Sequence, residues 1–97
     1  MPRYISLVNW TEKGAADVKN AVNRLHQARK LVEKHGGRIE CEYFTMGPYD
    51  FVVVAEYPDD ESANRVILEI GRAGYARSVT LKGWTAEEFE KTVAGLS

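Results

Sequence analysis

The tetrapeptide Gly47-Pro48-Tyr49-Asp50 is the most specific candidate for chemistry in this 97-residue chain. Pro48 presets the backbone for the second position of a β-turn, and the Asp50 carboxylate can accept hydrogen bonds from backbone amides, so one interpretation is a purely structural hairpin turn. The alternative is that Tyr49 and Asp50 project at the mouth of a cavity, where the carboxylate orients a phenol or binds a substrate hydroxyl. The two side chains would then be a candidate acid and base pair.

The two histidines do not have the spacing of a metal site. His26 and His35 are nine residues apart on one predicted helix, which places them about half a turn out of phase. We interpret both as structural or solvated and keep His26 as a further candidate base. The sequence contains no cysteine pair, no carboxylate-histidine cluster and no glycine-rich phosphate loop. It therefore predicts neither a metal nor a cofactor.

The remaining candidates are one thiol, one arginine and several aromatic side chains. Cys41 is flanked by Glu40 and Glu42, which would not activate a thiolate, so we interpret it as a small hydrophobic residue. Arg77 can pair two oxygens of an anion, although a solvated surface arginine is the alternative. Aromatic residues at strand ends either line a ligand cavity or fill a dimer interface, namely Tyr4, Trp10, Tyr43, Phe44 and Trp84. The predicted ligand-binding residues are Trp10, Tyr49, Asp50 and Arg77.

Charge and composition exclude several classes of protein. Thirteen Lys and Arg residues against fourteen Asp and Glu residues leave a net charge of -1, which argues against a nucleic-acid-binding protein. The longest apolar stretch, Phe51 to Ala55, is far shorter than a bilayer-spanning segment of roughly 20 residues. A single cysteine and an N-terminus without an apolar signal segment predict a cytoplasmic protein. The length predicts one domain, residues 1–97.

Hydrophobic periodicity predicts four strands and three helices. The first helix is capped by Thr11 and ends at Gly36-Gly37, and the last helix opens with a capping box between Thr85 and Glu88. Strands are predicted over Tyr4 to Trp10, Arg38 to Thr45, Phe51 to Ala55 and Ala76 to Lys82, with the second helix after Pro58 to Ser62.

This order, βαββαβ plus a terminal helix, predicts an α+β, ferredoxin-like antiparallel sheet with strand order 4-1-3-2 and its helices on one face. The apolar pattern is consistent with that order. The first and third strands carry apolar residues on both faces, as central strands do, whereas the second and fourth alternate with charged or polar residues.

The face of the sheet opposite the helices is uncovered in a monomer. We predict that Tyr4, Val8, Trp10 and part of the Phe51 to Ala55 run lie on that face. Because monomers rarely expose large contiguous apolar patches, we expect a second copy to cover it and form a homodimer. Two sheets that pack face to face would enclose a space for a small ligand.

The chain resembles the GYD domain family, and the resemblance covers nearly its whole length. It rests on Thr45-Met-Gly-Pro-Tyr-Asp50 followed by an apolar strand and Pro58-Asp-Asp-Glu61, on Leu7-Val-Asn-Trp-Thr11 with Gly14, on Arg24, and on Thr80-Leu81 with Thr85 and Glu88. Trp84 stands where the pattern favours Phe. The resemblance implies a dimeric α/β-barrel of the ferredoxin-like type in a prokaryotic cytoplasm, with no assigned activity.

Three functional hypotheses follow. The first is a homo-oligomeric protein that binds a small organic ligand in a cavity between paired sheets. The second, by analogy with other dimeric α/β-barrels, is a cofactor-independent isomerase or monooxygenase that uses Asp50 or His26 as a base. The third is a structural assembly module without a ligand. The expected partners are a second copy and possible small molecules, with no nucleic acid and no membrane.

Overall fold

The computed structural model describes all of residues 1–97. The elements are β1 (Arg3–Trp10), α1 (Glu12–Ala16), a 3-10 turn (Val18–Asn20), α2 (Ala21–Lys34), β2 (Arg38–Phe44), β3 (Phe51–Glu56), α3 (Asp60–Ala73), β4 (Ala76–Gly83) and α4 (Ala86–Ala94). No helix combines the length and the apolar character that a bilayer-spanning segment requires.

The four strands form one antiparallel sheet in the order β2-β3-β1-β4. Read from the other edge, this is the predicted order 4-1-3-2, and the α+β, ferredoxin-like fold is confirmed. The two central strands, β1 and β3, pair with Tyr4 opposite Ala55 and Val8 opposite Phe51. Because residues opposite one another share a face, this register defines both faces of the sheet.

Helix ends follow from local sequence. The Asp59 carboxylate caps α3 by accepting a 2.8 Å hydrogen bond from the Ser62 amide, and this bond lowers the pKa of Asp59. At the other end, Gly74 has a φ of 86°, a left-handed conformation that favours glycine. The predicted capping box of α4 is confirmed, since the Glu88 amide donates to Thr85 Oγ1 at 3.1 Å and the Thr85 amide donates to Glu88 Oε1 at 2.8 Å.

The predicted assignment of the two sheet faces is wrong. Tyr4, Val8 and Phe51 are buried beneath the helices, and Tyr4 packs in one cluster with Val32 of α2 and Val66 of α3. The uncovered face instead carries the other parity of each strand. We call this set the bare face: Ile5, Leu7, Cys41, Tyr43, Val52, Val54, Val79 and Leu81. Both parities of β1 are apolar, so alternation alone could not distinguish them.

A β-bulge changes the orientation of β2. Ile39 is opposite Ala55, whereas Cys41 is opposite Val54, so the register shifts between them. Regular alternation with Arg38, Glu40 and Glu42 predicts that Ile39, Cys41 and Tyr43 share one apolar side of the strand. The extra residue places Ile39 on the helix side and leaves the other two on the bare face, where Cys41 is exposed.

The predicted first helix is interrupted. Asp17 ends α1, a 3-10 turn follows, and α2 begins at Ala21. The side chain of Asn20 donates to Asp17 Oδ1 at 2.7 Å, a local bond of the kind that competes with regular helix. The three- and four-residue spacing of apolar residues in one continuous helix predicts Val18 and Val22 on its buried side, but both are exposed.

Candidate functional site

A cavity of about 540 Å³ lies between the covered face of the sheet and helices α2 and α3. Its volume is within the range of about 300 to 1,000 Å³ that is typical of small-molecule sites. The lining is mostly hydrophobic and includes Val8, Phe51, Leu31, Val66 and Ile70. The cavity belongs to a single chain, whereas the sequence predicted a cavity between two paired sheets.

Three hydroxyl groups form a polar patch on the sheet side of the cavity. Ser6 of β1 is opposite Thr80 of β4, and their hydroxyl oxygens are 2.9 Å apart. The Ser78 hydroxyl lies 3.4 Å from that of Thr80. All three residues line the cavity, so a mostly apolar site contains groups that can both donate and accept hydrogen bonds.

Aromatic rings line the end of the cavity at which β1 terminates. The ring centroids of Trp10 and Phe44 are 6.1 Å apart, and those of Phe44 and Phe51 are 4.8 Å apart. All three residues line the cavity. Rings at these separations form a continuous apolar surface against which another planar group can pack.

Arg24 is held at the same end by both stacking and hydrogen bonds. Its guanidinium carbon lies 4.6 Å from the Tyr75 ring centroid and 6.0 Å from that of Trp10. The guanidinium donates to the Asp17 carboxylate at 2.8 Å and to the Asp17 carbonyl at 3.0 Å. Its positive charge is therefore already paired, and the interaction ties α2 to the preceding turn.

Asp50 connects the loop after β2 to the end of β1. Its carboxylate accepts a 2.9 Å hydrogen bond from the Trp10 amide, and its own amide donates to the Val8 carbonyl at 2.9 Å. Within the loop, the Thr45 hydroxyl donates to the Tyr49 carbonyl at 2.7 Å, and Gly47 has a φ of 118° that favours glycine. Asp50 thus positions Trp10, while neither Tyr49 nor Asp50 lines the cavity.

The other predicted site residues lie apart from this group. Arg77 is opposite Asn9 in the sheet, and its guanidinium donates to the Gly71 carbonyl near the end of α3 at 2.8 Å. His26 is exposed on α2 and does not line the cavity. Of the four predicted ligand-binding residues, the structure joins Trp10 and Asp50 directly and places Trp10 alone in the cavity wall. No group of three or more His, Cys, Asp or Glu side chains is arranged to hold a metal ion.

A second tyrosine-aspartate pair was missed by sequence reasoning. The Tyr4 hydroxyl donates to Asp60 in the first turn of α3, and Lys82 lies 3.0 Å from the same carboxylate. Burial, followed by the bond to Asp60, raises the pKa of Tyr4 to about 12, while the Tyr4 hydroxyl and then Lys82 lower the pKa of Asp60. The phenol therefore stays neutral at pH 7 and its proton is committed to Asp60, which suits positioning better than proton transfer. Residues 56 positions apart carry no local sequence signal for this contact.

Comparison with known proteins agrees with the fold. The family model described as GYD domain matches residues 4–93. A protein from Thermus thermophilus named "Glutamine synthetase and cystathionine beta-lyase binding protein" is 31% identical over 83 residues, covering 84% of this chain and 87% of the relative. The crystal structure of the protein TTHA0845, also from Thermus thermophilus, superposes with a TM-score of 0.55 at 20% identity, covering 89% of this chain and 96% of that one.

These matches confirm the resemblance that the turn and the flanking motifs indicated. The family match extends from Tyr4 in β1 to Val93 in α4, and so includes the cavity walls, the Asp50 loop and the bare face. The chain belongs to the GYD domain family.

Proposed function

We propose that this chain is a homodimeric binding protein and that each subunit takes a small organic ligand in the cavity between its sheet and helices. The cavity of about 540 Å³ is the observation that carries the binding function, because its apolar walls and few converging polar groups are typical of ligand sites. Trp10 would contact the ligand directly, and Asp50 would hold Trp10 in place. Tyr49 and Arg77 do not line this cavity, so as predicted ligand contacts they would have to reach a part of the ligand that extends beyond it.

The bare face supports self-association. Val79 and Leu81 of β4 are 53% and 48% exposed, beside the half-buried Ile5 and Leu7 of β1. A second copy that covers this patch with its own bare face forms an isologous contact, in which each side offers the same residues. Each buried square ångström of apolar surface would contribute roughly 25 cal/mol.

Helix α4 supports the same interpretation. It is anchored at its start, where Arg3 donates to Glu88 at 3.1 Å, but its apolar residues Phe89 and Val93, and Leu96 just after its end, are exposed. The chain is also extended, with a radius of gyration of 14.6 Å, where a closed domain of this length would have about 12.5 Å. An amphipathic helix with an uncovered apolar side is suited to packing on a partner subunit.

Sedimentation velocity and native mass spectrometry test the homodimer. A variant with both Val79→Glu and Leu81→Glu should be monomeric at micromolar concentrations at which the unmodified protein is dimeric. Leu68→Glu is the matched control, because Leu68 is 61% exposed on α3 away from the bare face, and it should remain dimeric. The proposal would be contradicted if the unmodified protein were still monomeric at about 100 µM, a concentration at which even a weak dimer should form.

Native mass spectrometry also tests ligand binding. A small molecule retained by the purified protein should be lost from Ala28→Trp, which introduces an indole into the wall formed by α2. Ala94→Trp on the exposed surface of α4 is the control. A retained mass that is unchanged in the Ala28→Trp protein would place the ligand elsewhere, and a dry cavity that binds no probe would favour the assembly-only hypothesis.

A second candidate function is the binding of a protein partner. It is favoured by the name of the Thermus relative, which describes binding to glutamine synthetase and cystathionine beta-lyase. The bare face offers apolar area for such a partner. Surface plasmon resonance with glutamine synthetase and cystathionine beta-lyase tests this proposal. The variant with both Val79→Glu and Leu81→Glu shows whether the bare face is the contact surface.

The exposed free thiol of Cys41 on the bare face is consistent with a reducing cytoplasm as the proposed location.

Fewer observations support an enzymatic role for Asp50 or His26 than support ligand binding. Asp50 would have to act as a base while its carboxylate accepts a hydrogen bond from the Trp10 amide. His26 is exposed outside the cavity. Replacing Asp50 by Asn should abolish turnover of a hydroxylated aromatic substrate while leaving the oligomer intact. Unchanged turnover would remove Asp50 from the mechanism.

A further inference from the structure

We propose that the cavity selects uncharged ring compounds that carry a hydroxyl or carbonyl group and rejects the corresponding carboxylates. This inference rests on the proposed ligand-binding function and specifies the class of ligand. It follows from three properties of the lining: its charge, its hydroxyl groups and its aromatic surface.

The lining has no free positive charge. Its charged members are Arg24, Asp17 and Glu69, which sum to a formal charge of -1. Arg24 is paired with Asp17 at 2.8 Å, and Glu69, on α3, lies 3.5 Å from Arg72 outside the cavity. The amide side chains of the lining, Asn20, Asn23 and Gln27, are neutral. A carboxylate that entered would therefore exchange hydration for mostly apolar walls without gaining a cationic partner, which is unfavourable. A neutral ligand avoids this cost.

The hydroxyl patch provides a neutral counterpart for a polar ligand group. Ser6, Ser78 and Thr80 have three O–H donors among them, and their two mutual contacts at 2.9 and 3.4 Å use at most two. At least one donor and several lone pairs therefore remain for a ligand. A ligand hydroxyl or carbonyl can form hydrogen bonds with these groups without bringing a net charge into a cavity whose lining includes Glu69.

The aromatic end favours a ring over a flexible chain. The Trp10 and Phe44 planes are inclined by 35°, and those of Phe44 and Phe51 by 45°, so the three rings present differently tilted planes rather than one flat surface. A planar ring can pack in tilted or edge-on contact here, an interaction that a flexible aliphatic chain does not make. Arg24 closes this end over Trp10 and Tyr75.

Three probes of the same ring system separate these properties: naphthalene, 2-naphthol and 2-naphthoate, each titrated at neutral pH. Trp10 serves as the fluorescent reporter in a Trp84→Phe background, because Trp84 is exposed and is the only other tryptophan. We expect 2-naphthol to bind at least about tenfold more tightly than 2-naphthoate, since burying an unpaired carboxylate costs well over the 1.4 kcal/mol that a factor of ten represents.

Thr80→Val tests the hydroxyl patch because valine retains the shape and removes the oxygen. The loss of one hydrogen bond should weaken 2-naphthol binding by about three- to tenfold and leave naphthalene binding unchanged. Thr92→Val on exposed α4 is the control and should alter neither. Ser6→Ala provides a second hydroxyl deletion if the valine variant unfolds, as judged by circular dichroism.

The outcomes distinguish an error in the inferred ligand class from an error in the proposed ligand-binding function. If 2-naphthoate binds as tightly as 2-naphthol, or if Thr80→Val and Ser6→Ala weaken naphthalene and 2-naphthol equally, the inferred ligand class is wrong although a ligand site exists. If Ala28→Phe, which fills the same wall without adding a tryptophan to the reporter background, has no effect on any probe, or if no probe binds, the ligand-binding function itself is contradicted. Selective binding of 2-naphthol that is weakened by Thr80→Val supports both.

Discussion

The two faces of the sheet have similar strands but opposite surroundings. On the covered face, Tyr4, Val8, Phe51 and Ala55 are buried beneath α2 and α3. On the bare face, Val79 and Leu81 of β4 remain exposed, and the apolar side chains of β1 and β3 are only half-buried. Coverage by helices, rather than side-chain type, therefore makes the faces different.

The distribution of polar residues on β4 makes this comparison informative. Ser78 and Thr80 lie on the covered face and Val79 and Leu81 on the bare face, which is the reverse of the usual arrangement in a monomer. The covered face thus retains a cavity with hydroxyl groups, and the bare face retains an apolar patch. The first favours a small ligand and the second a protein surface.

The largest expected effect comes from placing the same charge on each face. Val66 is 1% exposed in the core, and Val66→Asp should destabilise the fold by at least about 4 kcal/mol because the carboxylate is buried without a partner. Val79→Asp should keep the native circular dichroism spectrum and weaken only self-association. Urea denaturation and sedimentation velocity provide the two measurements. A cooperative, stable Val66→Asp protein would contradict the assignment of the covered face.

Substitutions of two glycines by alanine test how closely α1 packs against the turn before β4, and their expected effects on stability are smaller. A Cβ atom on Gly14 would lie 1.9 Å from the Tyr75 carbonyl oxygen, where α1 approaches the turn before β4. Gly14→Ala should therefore destabilise the protein by about 1 to 3 kcal/mol through overpacking.

The matched change Gly71→Ala should have the opposite sign. The nearest atom to its added Cβ is Arg77 Nη1 at 3.8 Å, so the helix propensity of alanine should stabilise α3 by about 0.5 to 1 kcal/mol. Thermal unfolding of both variants measures the difference. Equal effects at the two positions would show that the close approach at Gly14 has no energetic consequence.

Asp50→Ala removes the carboxylate that bonds the Trp10 amide and should cost about 1 to 3 kcal/mol. Asp50→Asn should cost less because its amide oxygen can still accept. If the function of Asp50 is to position Trp10, Asp50→Ala should also weaken 2-naphthol binding, while Asp50→Asn should largely preserve it. Urea denaturation and the fluorescence titration measure these effects. Full stability of the alanine variant would contradict the structural role of Asp50.

The fold was largely predictable because its signals are local. The run from Phe51 to Ala55 is apolar at every position, as a central strand requires, and the Thr85 and Glu88 capping box marks the start of α4. The face assignment was not predictable, since both parities of β1 are apolar and the bulge between Ile39 and Cys41 has no distinct sequence signal.

The candidate site was less predictable because it depends on contacts between distant residues. Trp10 was identified by its type and Asp50 by its turn, but their mutual hydrogen bond spans forty positions. Ser6, Ser78 and Thr80 were not identified as site residues. Ser78 and Thr80 lie on an edge strand, where hydroxyls usually indicate a solvent face, and Ser6 is the single serine or threonine of the central strand β1. Only the position of α3 over β4 places them in the cavity.

The smallest expected effect concerns acid stability at one end of the bare face, where Arg3 contacts Glu40 at 2.8 Å, Glu56 at 2.9 Å and Glu88 at 3.1 Å. The bond from Arg3 lowers the pKa of Glu40 from 4.5 to about 2. Because the folded state binds this proton less readily than the unfolded chain, the stabilisation is complete above pH 4.5 and is lost as the pH falls towards 2.

Glu40→Gln should therefore reduce the dependence of the urea midpoint on pH in this window, while lowering the midpoint modestly at neutral pH. Tyr4→Phe is the counterpart on the covered face, because it removes the bond that chiefly lowers the pKa of Asp60. It should likewise diminish the loss of stability in acid, so the two variants separate the contributions of the two faces. If neither variant changes the slope, groups other than Glu40 and Asp60 dominate acid unfolding, and these two carboxylates do not produce a difference between the faces.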